Sequence, residues 1–222
     1  MSDVTIFAPS PTLTVTVEEH DGEPDIHLHA GGQGVWQARM LMRLGASVTM
    51  CCALTGEIGR MLRHLLEDEG LTIVGVEREG TGSAYVHDRR GGERHIIAEA
   101  AGEPLARHDL DELYGMALRD GLESGLVILS GPAGDDTLPA DTYRRLAADL
   151  RGGGAEVGVD LASEIGKPLF LHSRDAHPRF ADVLRARRAR LPRAVAHCFT
   201  GEKAELHAYL DLGLYIGITG WI

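Results

Sequence analysis

The chain has 222 residues, of which 44% are hydrophobic and 25% charged, an ordinary globular composition that excludes wholesale disorder. No apolar run approaches the ~18 residues that a membrane-spanning helix needs, and no basic stretch precedes an apolar one at the N-terminus, so we expect no membrane partner and no secretory signal. The cysteines number only 3, which predicts reduced thiols in a cytoplasmic protein rather than a disulfide framework.

The formal charge of −11 is unevenly distributed along the chain. Residues 1–162 contain 13 basic and 27 acidic residues, whereas residues 163–222 contain 9 basic and 6 acidic residues. Such a shift in composition is typical of a domain boundary. The acidic part argues against a general nucleic-acid-binding surface. The basic run at residues 185–190 fits the solvated face of a helix better than a phosphate contact.

The N-terminal region alternates apolar strands with amphipathic helices. The predicted strands are at residues 4–8, 13–17, 26–29, 47–54, 71–76, 84–88, 94–98, 126–129 and 156–161, and the predicted helices at residues 35–44, 57–69, 109–119 and 139–150. The apolar face of the second helix is predicted to contain Ile58, Met61, Leu62, Leu65 and Leu66. This layout predicts an α/β fold with a mostly parallel sheet covered by helices, and with extra hairpin strands.

The C-terminal region alternates in the same way, with predicted strands at residues 168–172, 194–198 and 214–218 and predicted helices at residues 178–190 and 202–212. No closing helix follows the last strand, so we expect a partial domain. If residues 156–161 and 168–172 were strands of one parallel sheet, six residues would connect them, whereas a parallel crossover needs roughly a dozen. This conflict predicts a join between two unrelated fragments near residues 160–165.

Several motifs follow one another in order along residues 1–162. They are Phe-Ala-Pro-Ser-Pro at residues 7–11, His-Ala-Gly-Gly-Gln-Gly-Val-Trp-Gln-Ala-Arg at residues 29–39, a hairpin signal at residues 82–99 and Leu-Ser-Gly-Pro at residues 129–132. Through these motifs the region resembles the ribokinase-like (PfkB-type) sugar kinases, particularly those related to 1-phosphofructokinase. The resemblance implies a ribokinase-like mostly parallel sheet with small clasp hairpins, a phosphosugar substrate and ATP as the cofactor of a functional kinase.

In that family a double glycine meets the sugar, because glycine lets backbone N–H groups approach a ligand closely. The resemblance therefore makes Gly31, Gly32 and Gln33 the candidate substrate-binding residues. An alternative interpretation of Gly31 and Gly32 is a simple strand-to-helix turn. Thr12 stands where the family's sugar-binding aspartate is expected, which puts ordinary sugar binding in doubt.

The catalytic motif of such kinases is Gly-Ala-Gly-Asp, in which a helix N-terminus holds the developing phosphate charge and the aspartate deprotonates the sugar hydroxyl. No Gly-Ala-Gly-Asp sequence occurs in this chain. No catalytic residue is assigned for this reason. We expect residues 1–162 to form an incomplete PfkB-type domain that does not transfer phosphate.

Three blocks lie near the C-terminus. They are Pro-Leu-Phe-Leu-His-Ser-Arg-Asp-Ala-His at residues 168–177, Ala-His-Cys-Phe-Thr-Gly at residues 196–201 and Tyr-Ile-Gly-Ile-Thr-Gly-Trp at residues 215–221. Through them residues 163–222 resemble TatD-type metal-dependent deoxyribonucleases, which are (β/α)8 barrels. The resemblance implies a partial barrel of about three strands, with nucleic acid as a partner of this segment only.

The resemblance also makes His172 and His197 ligands of a divalent metal, Mg or Zn, that activates water for attack on a phosphodiester. Both histidines end predicted strands, where barrels place catalytic groups. The alternative is two strand-end histidines without a metal, because two ligands hold zinc weakly compared with three or four.

Three functions therefore remain in competition. The chain is a sugar kinase by the ancestry of most of its length, a metal-dependent hydrolase by its histidine motifs, or a non-enzymatic chimeric or truncated product. A further hypothesis is that the strands at residues 168–172 and 194–198 complete the sheet of the N-terminal region. No oligomeric state is predicted.

Overall fold

The structure is a computed structural model that describes residues 2–131, 138–159, 169–172, 177–188, 193–197 and 199–218. It divides into two compact units, residues 1–158 and residues 159–222, named here the N-terminal unit and the C-terminal unit. Over the described ranges, no helix is both long enough and apolar enough to cross a membrane.

The N-terminal unit is built from strands and helices in alternation. In chain order its elements are β1 (Val4–Phe7), β2 (Thr12–His20), β3 (Glu23–Gly31), α1 (Gln33–Arg43), β4 (Val48–Thr55), α2 (Gly56–Asp68), β5 (Thr72–Arg78), β6 (Ala84–Asp88), β7 (His95–Ala100), α3 (Arg107–Ser124), β8 (Leu126–Leu129), α4 (Ala140–Gly152) and β9 (Glu156–Val159). The strands form a five-stranded main sheet, in the order β5-β4-β1-β8-β9, and a four-stranded small sheet, in the order β3-β2-β6-β7.

The main sheet is parallel where its pairing is defined: β1 pairs in parallel with β4 and with β8, and β4 with β5. Ile6 lies at its centre, with Met50 and Ile128 as register partners on either side. All eight residues of β4 are buried, including the free Cys51 and Cys52, as expected for a parallel strand covered on both faces. The predicted α/β fold with a mostly parallel sheet is confirmed.

Helices cover both faces of the main sheet. Val35 of α1 and Leu66 of α2 belong to the core cluster that includes Ile6. The next residue of β1 points to the opposite face, since side chains alternate along a strand. There the ring of Phe7 lies 5.6 Å from the ring of Tyr143 in α4, and α3 also packs on β1.

The predicted apolar face of α2 is confirmed for most of its members. Leu62 and Leu66 are buried, and Ile58 and Leu65 pack against the core. The prediction is wrong for Met61, which is 45% exposed. On a helix of 3.6 residues per turn Met61 lies about 60° from Ile58, on the side away from Leu62, so it falls at the margin of the apolar stripe.

The small sheet consists of two hairpins joined by a parallel pair. β2 and β3 are antiparallel around a turn at Asp21 and Gly22, whose φ angles are 54° and 83°. The hairpin predicted within residues 82–99 is confirmed as β6 and β7, and β2 pairs in parallel with β6. β2 and β3 are each nine residues long, longer than the predicted strands at residues 13–17 and 26–29, because the ladder continues through charged residues.

The C-terminal unit contains β10 (Leu169–His172), α5 (His177–Arg187), β11 (Ala194–His197), α6 (Lys203–Asp211) and β12 (Tyr215–Ile216). The three strands pair in parallel, in the order β10-β11-β12. The buried residues of the core are Ala181, Leu184, Ala194, Ala196, Tyr209 and Leu214.

The hypothesis that β10 and β11 complete the main sheet is therefore wrong, because these strands form a sheet with β12. Their separate pairing also explains how only six residues can separate residues 156–161 from residues 168–172, although a parallel crossover within one sheet would need more. β9 and β10 belong to different sheets, so no parallel crossover has to connect them.

Candidate functional site

The double glycine connects β3 to α1. Gly31 is the last residue of β3, Gly32 is the N-cap of α1 and Gln33 is its first residue, so the three candidate substrate-binding residues lie together at one helix N-terminus. Gln33 is exposed to solvent. Within the described structure, no side chain caps this helix end and no acidic residue lies in its first turn. Its first N–H groups therefore have no side-chain acceptor from a cap.

Local packing requires glycine at several of these positions. A β-carbon at Gly31 would lie 2.6 Å from Thr14 Oγ1 on β2, and one at Gly34 would lie 2.4 Å from the β-carbon of Ala8. Gly32 has a φ of 103°, a conformation that side chains other than glycine rarely adopt. The start of α1 is thus seated tightly against the chain that follows β1. A strand-to-helix turn is sufficient to explain the glycines.

Two buried hydroxyl groups near the start of α1 have no hydrogen-bond partner among the described residues: Thr14 Oγ1 and Ser130 Oγ. Thr14 lies beside Gly31, and Ser130 Oγ lies 3.2 Å from where a β-carbon on Gly34 would stand. Leaving a buried polar group unpaired costs about 1–3 kcal/mol.

Thr12 occupies the position where the resemblance places a sugar-binding aspartate. Its side chain is buried, and its Oγ1 lies 3.0 Å from Ser83 Oγ. The hydroxyl of Thr12 is therefore engaged within the protein. A neutral hydroxyl in this place supplies none of the negative charge with which a carboxylate holds a sugar hydroxyl.

Two histidines on one face of the small sheet, His29 of β3 and His87 of β6, have a lowered pKa. His87 is buried, with Nε2 at 3.1 Å from Thr16 Oγ1. Burial, together with the charges of Arg94 and Arg89, lowers the pKa of His87. Burial and the charge of Arg39 lower the pKa of His29 in the same direction. Both environments favour the neutral imidazole.

The N-terminal unit is therefore expected to lose stability as the pH falls below about 6.5, the ordinary pKa of histidine, because the unfolded chain takes up a proton there before the folded chain does. A His87→Gln variant keeps a hydrogen-bonding group but cannot titrate, so its melting temperature should fall less between pH 7.5 and 5.5 than that of the unmodified chain. His108→Gln, at an exposed position of α3, is the control. An equal fall in both variants would contradict the assignment to His87.

His172 and His197 are the last residues of β10 and β11, and they are register partners in the parallel ladder. Neighbouring strands lie about 4.8 Å apart. The structure thus makes the two candidate metal ligands register partners at the carboxyl edge of the three-stranded sheet of the C-terminal unit. Barrel enzymes place their catalytic groups at this edge.

A cavity of about 220 Å³ adjoins His197 and is also lined by His177, Glu205 and Tyr209. His177 Nδ1 is buried and has no hydrogen-bond partner among the described residues, and its ring centroid lies 5.0 Å from that of Tyr209. The backbone N–H of Glu202 donates to Glu205 Oε2 at 3.1 Å, as part of a capping box at the start of α6.

Sequence reasoning did not select His177 or Glu205. Glu205 follows Glu202 by three residues at a helix start, but the capping-box signature has Ser or Thr in the first place, so the sequence did not signal this pair. The position of His177 follows from its place at the start of α5, which only the fold shows to be next to the end of β11.

In the part of the chain that the structure describes, no three His, Cys, Asp or Glu side chains form a group that could hold a metal ion. Catalytic zinc sites use three protein ligands and structural sites use four. The described residues therefore do not make a complete metal centre. No catalytic step through a metal is derived for this chain.

A helix-covered parallel sheet, a small sheet of hairpins and a double glycine at the first helix together define an α/β protein of the sugar-kinase type. Residues 3–164 match the family model described as pfkB family carbohydrate kinase, so the chain belongs to that family. Residues 156–222 match a second family model, TatD related DNase.

Solved structures with this fold include two phosphofructokinases. Phosphofructokinase-2 from Escherichia coli, solved in complex with fructose-6-phosphate, has a TM-score of 0.65 at 18% identity, covering 96% of this chain and 70% of that chain. A possible 1-phosphofructokinase from Thermotoga maritima has a TM-score of 0.61 at 16% identity, covering 94% of this chain and 67% of that chain. At these identities the likeness shows the ribokinase-like fold.

Sequence relatives include proteins named 3'-5' ssDNA/RNA exonuclease TatD. The one from Edwardsiella piscicida is 44% identical over 130 residues, which is 56% of this chain and 46% of that protein. The one from Pantoea ananatis is 58% identical over 62 residues, which is 28% of this chain and 24% of that protein. The chain thus spans less than half the length of these relatives.

Proposed function

We propose that this member of the pfkB family binds a phosphosugar at Gly31, Gly32 and Gln33 without transferring phosphate to it. The observation that carries the proposal is the pair of unpartnered buried hydroxyls, Thr14 Oγ1 and Ser130 Oγ, which lie among the described residues beside an uncapped helix N-terminus. Hydroxyl and phosphate oxygens of a sugar phosphate are suitable partners for such groups. The related phosphofructokinase-2 was solved with fructose-6-phosphate.

The proposed lack of phosphoryl transfer rests on one feature of the sequence. No Gly-Ala-Gly-Asp sequence supplies a base and a helix N-terminus for the transferred phosphoryl group. ATP is a cofactor of this chain only if the kinase part is functional. We propose an incomplete kinase domain over residues 1–162 and a partial hydrolase segment over residues 163–222, in a cytoplasmic protein without a membrane partner.

A Gly32→Ala variant tests the binding site. Alanine at a positive φ costs about 1–2 kcal/mol, so the backbone at this position is expected to adjust and to shift the N–H groups at the start of α1. The affinity for fructose 6-phosphate is therefore expected to fall about tenfold. Amide chemical shifts report binding, and ADP release in the presence of ATP reports turnover, which should be absent. Gly22→Ala is the matched control, because Gly22 has a φ of 83° in a turn with open space around it.

Two results would contradict this proposal in different ways. The assignment of the binding site would be wrong if the ligand left the chemical shifts of the amides of residues 31–34 unchanged. It would also be wrong if Gly32→Ala and Gly22→Ala bound fructose 6-phosphate with equal affinity. ADP release that depends on the sugar phosphate would show that the chain is a working kinase.

A second candidate function is favoured by the register pairing of His172 with His197. We propose that this pair binds a divalent metal ion such as Zn²⁺ more weakly than a site of three or four ligands does. Cleavage of nucleic acid by the C-terminal segment is the corresponding hydrolase alternative.

His172→Ala and His197→Ala are each expected to abolish zinc binding measured by calorimetry on the full chain. His207→Ala, at an exposed position of α6, should leave zinc binding unchanged. Unchanged binding in His172→Ala would dismiss the pair as ligands. Zinc-dependent cleavage of single-stranded DNA would establish the hydrolase alternative. A chain that binds neither sugar phosphate nor metal would be the non-enzymatic product.

A further inference from the structure

A cavity of about 380 Å³ lies in the N-terminal unit between α2 and the end of β5. Its volume is within the range of small-molecule sites, roughly 300–1,000 Å³. Arg60, Arg63 and His64 line it from α2, where their spacing of three and four residues places them on one helix face. Arg78 lines it from the end of β5. The cavity is distinct from the double-glycine site, which lies at the start of α1.

The cavity brings three guanidinium groups together within an acidic region. Its lining also includes one imidazole and the carboxylates of Glu77 and Glu79, and Glu67, Glu103 and Asp109 pair with two of the guanidinium groups from outside the lining. The rest of residues 1–162 is strongly acidic, since this region has 27 acidic against 13 basic residues. The cavity therefore offers an anion guanidinium N–H donors that most of the acidic surrounding surface lacks.

Two of the arginines are held in place by ion pairs. Arg63 pairs with Glu67 at 3.0 Å and with Glu77 at 2.9 Å. Arg78 pairs with Asp109 at 3.4 Å and donates to the carbonyl oxygen of Pro104 at 2.8 Å. These pairs fix the two side chains. Because a guanidinium group has five N–H donors, each arginine still has N–H groups that are not used in these pairs.

Arg60 differs from the other two arginines. It is exposed, and among the described residues no carboxylate pairs with its guanidinium group. His64 lies one turn further along the same face of α2. The cavity also lies beside the first turn of α2, at Gly56 and Gly59, where the helix dipole adds positive potential.

We propose that this cavity binds the phosphate group of a small phosphate ester. The planar fork of Arg60 matches phosphate oxygens, and the fixed guanidinium groups of Arg63 and Arg78 supply further N–H donors. Glu77 and Glu79 accept hydrogen bonds from hydroxyl or amino groups on the rest of the ligand. The ligand class is thus a phosphate ester that carries such groups, and free phosphate is the alternative source of the same chemistry.

The test is a titration of the full chain with inorganic phosphate, fructose 6-phosphate and ATP, followed through backbone amide shifts. The amides of residues 56–64 and 77–79 are expected to shift, with an ester binding more tightly than inorganic phosphate. Arg60→Ala should weaken binding about tenfold, the effect of losing one charge-assisted hydrogen bond pair. Arg107→Ala is the matched control, because Arg107 is an exposed arginine of α3 that faces Asp111 at 3.7 Å.

Alanine at an exposed helix position favours the helix, so Arg60→Ala is expected to fold, and its melting temperature checks this. Equal affinity of Arg60→Ala and Arg107→Ala would overturn the proposal. So would shifts confined to residues outside the two stretches, or the absence of any shift up to millimolar ligand. Equal affinity for inorganic phosphate and both esters would identify free phosphate as the ligand and overturn the assignment of an ester. The Gly32→Ala variant should bind at this cavity normally, which separates it from the double-glycine site.

Discussion

Replacing Tyr209 with alanine is expected to unfold the C-terminal unit while the main sheet of the N-terminal unit keeps its structure. Tyr209 is 3% exposed, and its ring lies 5.0 Å from His177, 5.5 Å from Phe180 and 5.8 Å from Phe199. Removing a buried aromatic side chain costs about 3–5 kcal/mol. A domain of about 60 residues buries too little surface to tolerate that loss.

Hydrogen exchange measured by mass spectrometry distinguishes the two units. In Tyr209→Ala the amides of α6 and β11 should exchange at the rate of an unfolded chain, while those of β4 stay protected. Leu66→Ala is the complementary variant, because Leu66 is fully buried in the core of the N-terminal unit. Loss of protection in β4 on replacing Tyr209 would show that the two units unfold as one.

Gly59→Ala is expected to destabilise the N-terminal unit strongly. A β-carbon at this position of α2 would lie 2.3 Å from the carbonyl carbon of Leu54 at the end of β4. The obstacle is backbone in a buried strand, so it cannot move aside as a flexible side chain would. The helix must shift instead, at a cost of about 3 kcal/mol, which exceeds the gain of up to about 1 kcal/mol from placing alanine in a helix.

The matched control is the same substitution in another helix. Gly115 is an exposed residue of α3, and nothing in the described structure lies within 4 Å of where its β-carbon would stand. Gly115→Ala should therefore stabilise the chain by about 0.5–1 kcal/mol. Urea midpoints at unchanged slope give both values. A Gly59→Ala variant as stable as Gly115→Ala would mean that α2 is not packed on β4 as described.

Much of the fold follows from local pattern. The continuous apolar run that becomes β4 predicts a strand buried on both faces, and the hairpin of β6 and β7 is signalled by residues 89–92. The assignment of strands to sheets does not follow from local pattern. β9 and β10 read alike in the sequence, and only their pairing shows that they belong to different sheets. The exposure of Met61 is likewise set by tertiary packing.

The candidate sites, like the fold, could be predicted only in part from the sequence. The double glycine and the strand-end histidines were visible as motifs, and the structure places Gly31 beside Gly32 at a helix start and His172 beside His197 in one ladder. The unpartnered hydroxyl of Ser130, one of two such hydroxyls among the described residues near this helix start, is far from Gly31 in sequence, so no local pattern indicates that it lies there.

The two cysteines in the middle of β4 can report how often the main sheet opens. Both are fully buried, and burial raises the pKa of Cys52 to about 12 and raises the pKa of Cys51 as well. A thiol-specific reagent needs both access and a thiolate, and the native strand gives it neither. The rate at which Cys51 and Cys52 are alkylated therefore measures how often the centre of the main sheet separates, without any introduced label.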